Sequence, residues 1–150
     1  MRLLCYAAVI LLSIMIPAER TDIGRMKPME VVMVTAEDGI MVRTDTDDWG
    51  YGENLEEALE NLRKSSNGIV YYDTVEYVLV NEKAMGLTQN IVEAIGGDAS
   101  IYEYTGTIEL KDIGAFLAVH AGKEKDGCDE MLIEGENGKC MLKKCVKNGK

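Results

Sequence analysis

The sequence is short of the residue types on which most catalytic and metal sites depend. Among 150 residues there is one histidine, His120, and no Gly-x-Ser-x-Gly segment that would present a nucleophilic serine. The cysteines lack the paired Cys-x-x-Cys spacing of a structural zinc site, and no histidine accompanies them. A His-based triad is not expected, and we interpret His120, near the end of a predicted helix, as a surface or capping residue. The sequence thus predicts a non-enzymatic protein without a cofactor.

Positive charge is also scarce. Lys and Arg number 16 against 26 Asp and Glu, so the net charge is −10 at pH 7. Binding to nucleic acid is not expected, because neutralising phosphates requires clustered basic side chains. The balance changes near the C-terminus, where every charged residue from Lys139 to Lys150 is a lysine. Such a segment is either a solvated chain end or a contact for anionic lipid headgroups or an acidic partner.

A long apolar run does occur, at the N-terminus. Arg2 precedes the run Leu3–Ile16, and Pro17-Ala18-Glu19-Arg20 follows it. The run is shorter than the roughly 20 residues of a spanning helix, and Ala18 offers a cleavage position. We therefore predict that residues 1–18 are a signal peptide or an uncleaved membrane anchor, and that the rest is exported or anchored at the extracytoplasmic face. Lipidation is not expected, because Cys5 lies near the beginning of the run.

Cysteine is infrequent, and the number outside the N-terminal segment is odd. Cys128, Cys140 and Cys145 remain. In an exported protein, three cysteines indicate either one disulfide with a free thiol or three free thiols. The sequence leaves these alternatives open.

Hydrophobic periodicity predicts alternating strands and helices in the rest of the chain. Residues 28–36 and 39–44 are predicted as two strands of a hairpin around Glu37-Asp38-Gly39. The clearest helix is 54–64, where Asn54 and Glu57 form a capping-box pair and an apolar face recurs at helical spacing. Further strands are predicted at 68–72, 74–80 and 100–104, and further helical segments at 82–95 and 110–121. A weak hairpin is predicted in 131–146.

This alternation predicts an α/β (α+β) fold, with a mixed sheet of about five strands and two to three helices packed on it. We place one globular domain at residues 22–124. Residues 125–150 are expected to be a Cys- and Lys-rich extension, either a weak hairpin or disordered.

The acidic segment 45–52 admits two interpretations. Asp45, Asp47 and Glu56 match positions 1, 3 and 12 of an EF-hand loop, which would make a calcium site. However, Trp49 stands where a carboxylate or amide ligand is expected, and a strand rather than a helix precedes the loop. The other interpretation is a strand-to-helix loop whose acids are solvated and favour the helix N-terminus. A small extracytoplasmic ligand- or calcium-binding module is therefore the alternative function.

The same loop carries two aromatic residues beside glycines, Trp49 and Tyr51. Exposed aromatic side chains can anchor a protein partner; the alternative is a lid over the edge of the core. We predict that Trp49 and Tyr51, with Asp47 and Asp48, form a partner-binding surface. The leading function is accordingly a non-catalytic, exported, membrane-associated domain that acts by protein contact.

The order of several motifs resembles a known family. Asp22-Ile23-Gly24 precedes an apolar strand, a Gly-x-x-x-x-x-Ala segment (52–58) opens the first helix, and Val78–Ala84 leads to Gly86-Leu87. Over about residues 22–120 this pattern resembles the N-terminal domain of the spore germinant receptor C-subunit, the Ger(x)C family. The resemblance implies a membrane-associated accessory of germination or sporulation, with germinant-receptor subunits as partners. Family members are longer lipoproteins, so the chain resembles a single-domain relative that lacks the lipid-bearing cysteine.

Overall fold

A computed structural model of the chain describes residues 26–96, 99–120, 130–135 and 138–144. The predicted signal or anchor segment, 1–18, lies outside the described residues, as do Asp22-Ile23-Gly24, Cys128 and Cys145. No helix within the described ranges is long and apolar enough to cross a membrane.

Nine strands and three α-helices lie within the described ranges. The strands are β1 (Met26–Pro28), β2 (Val31–Ala36), β3 (Ile40–Thr44), β4 (Trp49–Gly52), β5 (Ile69–Tyr71), β6 (Tyr77–Val80), β7 (Ser100–Gly106), β8 (Glu130–Gly135) and β9 (Gly138–Lys144). The helices are α1 (Leu55–Ser65), α2 (Thr88–Ile95) and α3 (Leu110–His120), with short 3-10 turns at Tyr72–Thr74 and Glu82–Leu87.

Seven of the strands form one mixed sheet in the order β4-β3-β2-β6-β7-β9-β8, and β1 pairs with β5 in a small parallel sheet. The central strands β2, β6 and β7 are parallel, whereas β3, β4, β9 and β8 are added antiparallel at the two ends. The predicted mixed α+β fold is confirmed. The main sheet has seven strands instead of about five, because β4 and the hairpin β8–β9 join it while the expected strand at 68–72 pairs with β1 in the small sheet.

Two apolar clusters cover the two faces of the main sheet. On the α1–α2 face, residues such as Val32 and Val34 of β2 pack under the two helices. On the α3 face, Val31, Met33 and Leu79 pack under the third helix. Strands β2 and β6 are therefore apolar on both sides, as expected for strands between helical layers. Each fully buried Val or Leu side chain stabilises the fold by roughly 1.5–3 kcal/mol.

The segment predicted as a loop, 45–52, was wrongly assigned in its second half. Residues Trp49–Gly52 form strand β4, which pairs antiparallel with β3 through a turn at 45–48. The sequence did not indicate this strand because it contains two glycines, Gly50 and Gly52, and glycine is normally unfavourable in strands. Here Gly50 and Gly52 face α1, where the helix backbone approaches too closely to leave room for a side chain.

The C-terminal hairpin is part of the main sheet. Strand β9 pairs with β7, from Tyr102 opposite Lys144 to Gly106 opposite Cys140, and β8 pairs with β9 at the sheet's edge. The predicted extension, 125–150, therefore contributes two strands to the sheet. Cys140 and Leu142 are buried against α3, which provides the apolar contact that holds the hairpin in place.

Candidate protein-contact surface

Strand β4 has one helix-facing side and one solvent-facing side. Gly50 and Gly52 are buried under α1, whereas the alternate residues Trp49 and Tyr51 are 59% and 50% exposed. This follows from the period of two along a strand, which sends successive side chains to opposite faces. The predicted exposure of both aromatic residues is therefore present, on a strand rather than on a loop.

Two residues of β3 extend the exposed aromatic pair. Arg43 is the register partner of Trp49, and Met41 is the register partner of Tyr51. We call these four residues the aromatic face. Helix α3 covers the central strands on this side of the sheet, but its apolar cluster does not include any of the four. Sequence reasoning missed Arg43 and Met41, because only the β3–β4 register brings them beside the aromatic residues.

Arg43 supplies an available positive charge on this surface. Its side chain is exposed, and no carboxylate of the described residues lies within ion-pair distance of it. Arg43 also borders a cavity of ≈ 350 Å³, together with Thr44, Thr107 and Lys111 at the beginning of α3. The aromatic face thus combines two large rings, a thioether and a guanidinium, a combination enriched at protein interfaces.

Helix α1 fixes the backbone under the aromatic face. Asn61 Nδ2 donates a hydrogen bond to the Tyr51 carbonyl oxygen at 2.8 Å, and Ser65 Oγ donates to the Trp49 carbonyl oxygen at 2.7 Å. The Tyr51 hydroxyl donates to the Asp38 carbonyl oxygen at 3.3 Å. The first two bonds satisfy the outward carbonyl oxygens of Tyr51 and Trp49 on this edge strand. Fewer backbone acceptors are thus left for pairing with another chain along the edge.

The two acids predicted to join the partner-binding surface both form ion pairs, one half-buried and one exposed. Asp48 has a side chain only 11% exposed and forms an ion pair with Lys27 at 3.2 Å. It also accepts hydrogen bonds from Thr46 and Ser66. Asp47, at a positive φ of 63° in the turn, forms an ion pair with Lys111 at 2.6 Å. Asp48 therefore holds the β3–β4 turn from within, whereas Asp47 is 70% exposed and stays accessible beside its exposed lysine partner.

The three candidate calcium ligands lie in separate environments. Asp45 Oδ2 accepts a hydrogen bond from the Glu30 backbone N–H at 3.1 Å, and Asp47 is paired with Lys111. Glu56 lines a groove of ≈ 400 Å³ between α1 and α2, beside Arg63 and Glu93. In the described part of the chain, no group of three or more His, Cys, Asp or Glu side chains could hold a metal ion.

The remaining candidates have structural contacts. His120 stacks on Phe116 with ring centroids 4.0 Å apart, and its Nδ1 bonds to the Phe116 carbonyl oxygen at 2.8 Å, as expected for a capping residue at a helix C-terminus. Cys140 is buried with a free thiol, and burial raises the pKa of that thiol. The predicted pairing among Cys128, Cys140 and Cys145 involves two residues outside the described ranges.

The chain matches no protein-family model, no curated protein and no solved structure. The resemblance to the Ger(x)C family therefore rests on the sequence motifs alone.

Proposed function

We propose that this chain is a non-catalytic, exported and membrane-associated protein-interaction domain, and that the aromatic face is its contact with a partner. The observation that supports this most directly is the exposure of Trp49, 59%, and Tyr51, 50%, beside the exposed Arg43. Removing large apolar side chains from water lowers the free energy of a complex. Trp, Tyr and Arg contribute most of the binding energy at protein interfaces.

The rigid support of the aromatic face favours binding. Asn61 and Ser65 hold the β4 backbone, so the two rings are presented without a loop that must first be ordered. Ordering a flexible segment on association would reduce the affinity, whereas a preformed surface avoids that loss.

Export and membrane association are proposed from the N-terminal segment, Arg2 followed by the apolar run Leu3–Ile16. The partner is proposed from the family resemblance, which implies a membrane-associated complex of germination or sporulation. Germinant-receptor subunits are accordingly the partners to be sought.

The experiment is a pull-down of the tagged full chain from detergent-solubilised membranes of sporulating source cells, identified by mass spectrometry. We expect germinant-receptor subunits with the unaltered chain and at least about tenfold less with Trp49→Ala, because truncating a central aromatic commonly costs 2 kcal/mol or more. Thermal melting should show Trp49→Ala folded, with its unfolding free energy within about 1 kcal/mol of the original.

Tyr71→Ala is the matched control, because Tyr71 is an exposed aromatic on β5, outside the main sheet. It should recover the partner normally. Recovery of the chain alone would reject the membrane-complex proposal, and equal recovery by Trp49→Ala would reject the aromatic face as the contact.

A further inference from the structure

The β8–β9 hairpin has an uncovered apolar centre on the α1–α2 face of the sheet. Leu132 and Met141 are register partners on neighbouring strands, and they are 54% and 46% exposed. Their neighbours in sequence, Ile133 and Cys140, face the α3 cluster instead. On the α1–α2 face, which carries Leu132 and Met141, the apolar cluster beneath the helices extends only as far as Ile101 of β7. Within the described residues, the two outermost strands therefore project beyond the helical layer.

Charged residues of opposite sign lie beside this apolar centre. On β8 the charge is acidic, since Glu134 lies next to Leu132 on the same face of the strand. On β9 the charge is basic, with Lys143 and Lys139 on either side of Met141. Glu134 and Lys139 form an exposed ion pair at 2.8 Å within the hairpin. We call Leu132, Glu134, Lys139, Met141 and Lys143 the hairpin patch.

We propose that the hairpin patch is a self-association surface, through which two copies of this chain form a symmetric dimer. A two-fold axis running between β8 and β9, parallel to both strands, would place β8 of one copy over β9 of the other. Leu132 then lies against the second copy's Met141, and Glu134 lies against the second copy's Lys139. Because Glu134 and Lys139 exchange places under this rotation, the patch is complementary to itself, as an isologous interface requires.

The overhang of the sheet makes this arrangement sterically possible. Strand β8 is the edge of the sheet, so the rotation sends the body of the second copy beyond that edge, away from the helices of the first. Only β8 and β9 of each copy overlap with the other copy. Strand β8 of each copy lies over β9 of the other, next to the other copy's α1–α2 helices. Because only two strands of each copy overlap, we expect a small interface and therefore a reversible dimer that depends on concentration.

Overall charge opposes association but does not prevent it. Each copy carries a net charge of −10. At physiological ionic strength, exposed charges more than about 8 Å apart are largely screened, so the contacts within the patch determine the outcome.

The first test is analytical ultracentrifugation of the full chain in detergent over a wide concentration range, comparing Leu132→Lys with Val119→Lys. Val119 is a matched control, since it is 57% exposed on α3, away from the hairpin patch. We expect the unaltered chain and Val119→Lys to dimerise equally. Leu132→Lys should dimerise roughly tenfold more weakly or less, because its ammonium would lose water at the apolar centre.

A second measurement does not depend on a variant that folds. Equal amounts of isotopically heavy and light chain are mixed, treated with a zero-length carbodiimide, and digested for mass spectrometry. The dimer predicts links between Glu134 of one isotope and Lys139 of the other. A chain that stays monomeric at all concentrations, a dimer that persists in folded Leu132→Lys, or Glu134–Lys139 links of single isotope only would each overturn the proposal.

Discussion

At the scale of single residues, Gly50 sets the distance between the sheet and α1. A Cβ atom at this position would fall on the Ala58 carbonyl oxygen and on the Leu62 backbone nitrogen. Gly52 is similar, since its Cβ would lie 2.6 Å from the Ala58 nitrogen. Neither contact can be relieved by moving a flexible side chain. The position of the aromatic face therefore depends on Gly50 and Gly52, which lie on the helix-facing side of the same strand.

We expect Gly50→Ala to lower the unfolding free energy by about 1–3 kcal/mol or more, because the added methyl group would displace helix backbone. Gly86→Ala is the control, since a Cβ there would meet nothing within 4 Å. It should be neutral or stabilise the fold by up to about 1 kcal/mol, through reduced freedom of the unfolded chain. Chemical denaturation of the two variants measures both effects. Equal stability of the two would contradict the close approach of α1.

At the scale of elements, α1 connects the local sequence signal to the candidate site. Asn54 Oδ1 accepts a hydrogen bond from the Glu57 backbone N–H at 2.9 Å, and Glu57 Oε2 accepts one from the Glu53 backbone N–H at 2.9 Å. The first bond satisfies a donor that the first helical turn leaves unpaired, and the second ties Glu57 to the residue before the cap. The same helix then supplies Asn61 and Ser65 to the backbone of β4.

Replacing Asn54 tests the cap. We expect Asn54→Ala to lower the unfolding free energy by about 1 kcal/mol, because the Glu57 N–H loses its acceptor. Asn54→Asp should be within roughly 0.5 kcal/mol of the original, since aspartate caps as well as asparagine. Thermal or urea unfolding of both variants measures the difference. If Asn54→Ala had the same unfolding free energy as the original chain, the cap would contribute nothing to stability.

The Asn54 cap, the apolar stripe of α1 and the β2–β3 hairpin were predicted correctly because their signals are local, whereas for the segment of β8–β9 the sequence left a weak hairpin or disorder open. Asn54, Glu57 and the leucines of α1 lie within two or three helical turns. Strand β4 was missed because its two glycines are favourable only where a helix packs on them. The pairing of β9 with β7 joins residues more than 30 positions apart, such as Tyr104 and Leu142, and no local pattern specifies it.

At the scale of the whole molecule, the helices leave two regions of the main sheet uncovered, one at each end of the sheet and one on each face. On the α3 face, the uncovered end holds Met41, Arg43, Trp49 and Tyr51. On the α1–α2 face, the uncovered end holds Leu132 and Met141. The two surfaces lie at opposite ends of a seven-stranded sheet and on opposite faces. A partner on the aromatic face would therefore not obstruct a second copy on the hairpin patch.

We expect the two surfaces to act independently. Trp49→Ala should leave the dimerisation constant unchanged, and Leu132→Lys should leave recovery of the membrane partner unchanged within about twofold, because distant sites without shared contacts are usually additive. Ultracentrifugation and the pull-down, applied to both variants and to the double variant, measure this. Loss of partner recovery in folded Leu132→Lys would show that the partner requires the dimer or contacts the hairpin patch itself.

Because hydrophobic spacing and turn residues act over short distances, the sequence by itself determined the mixed α+β fold class and the capped first helix, but it left open whether Trp49 and Tyr51 are exposed or form a lid over the core. It also supplied the predictions of export and of a germination partner. Only the tertiary structure decided which residues surround the aromatic pair and what the neighbouring acids do. Asp47 and Asp48 are ion-paired with lysines distant in sequence, and Arg43 lies beside Trp49 through strand register. Burial, pairing and register depend on where the rest of the chain packs, which no local segment contains.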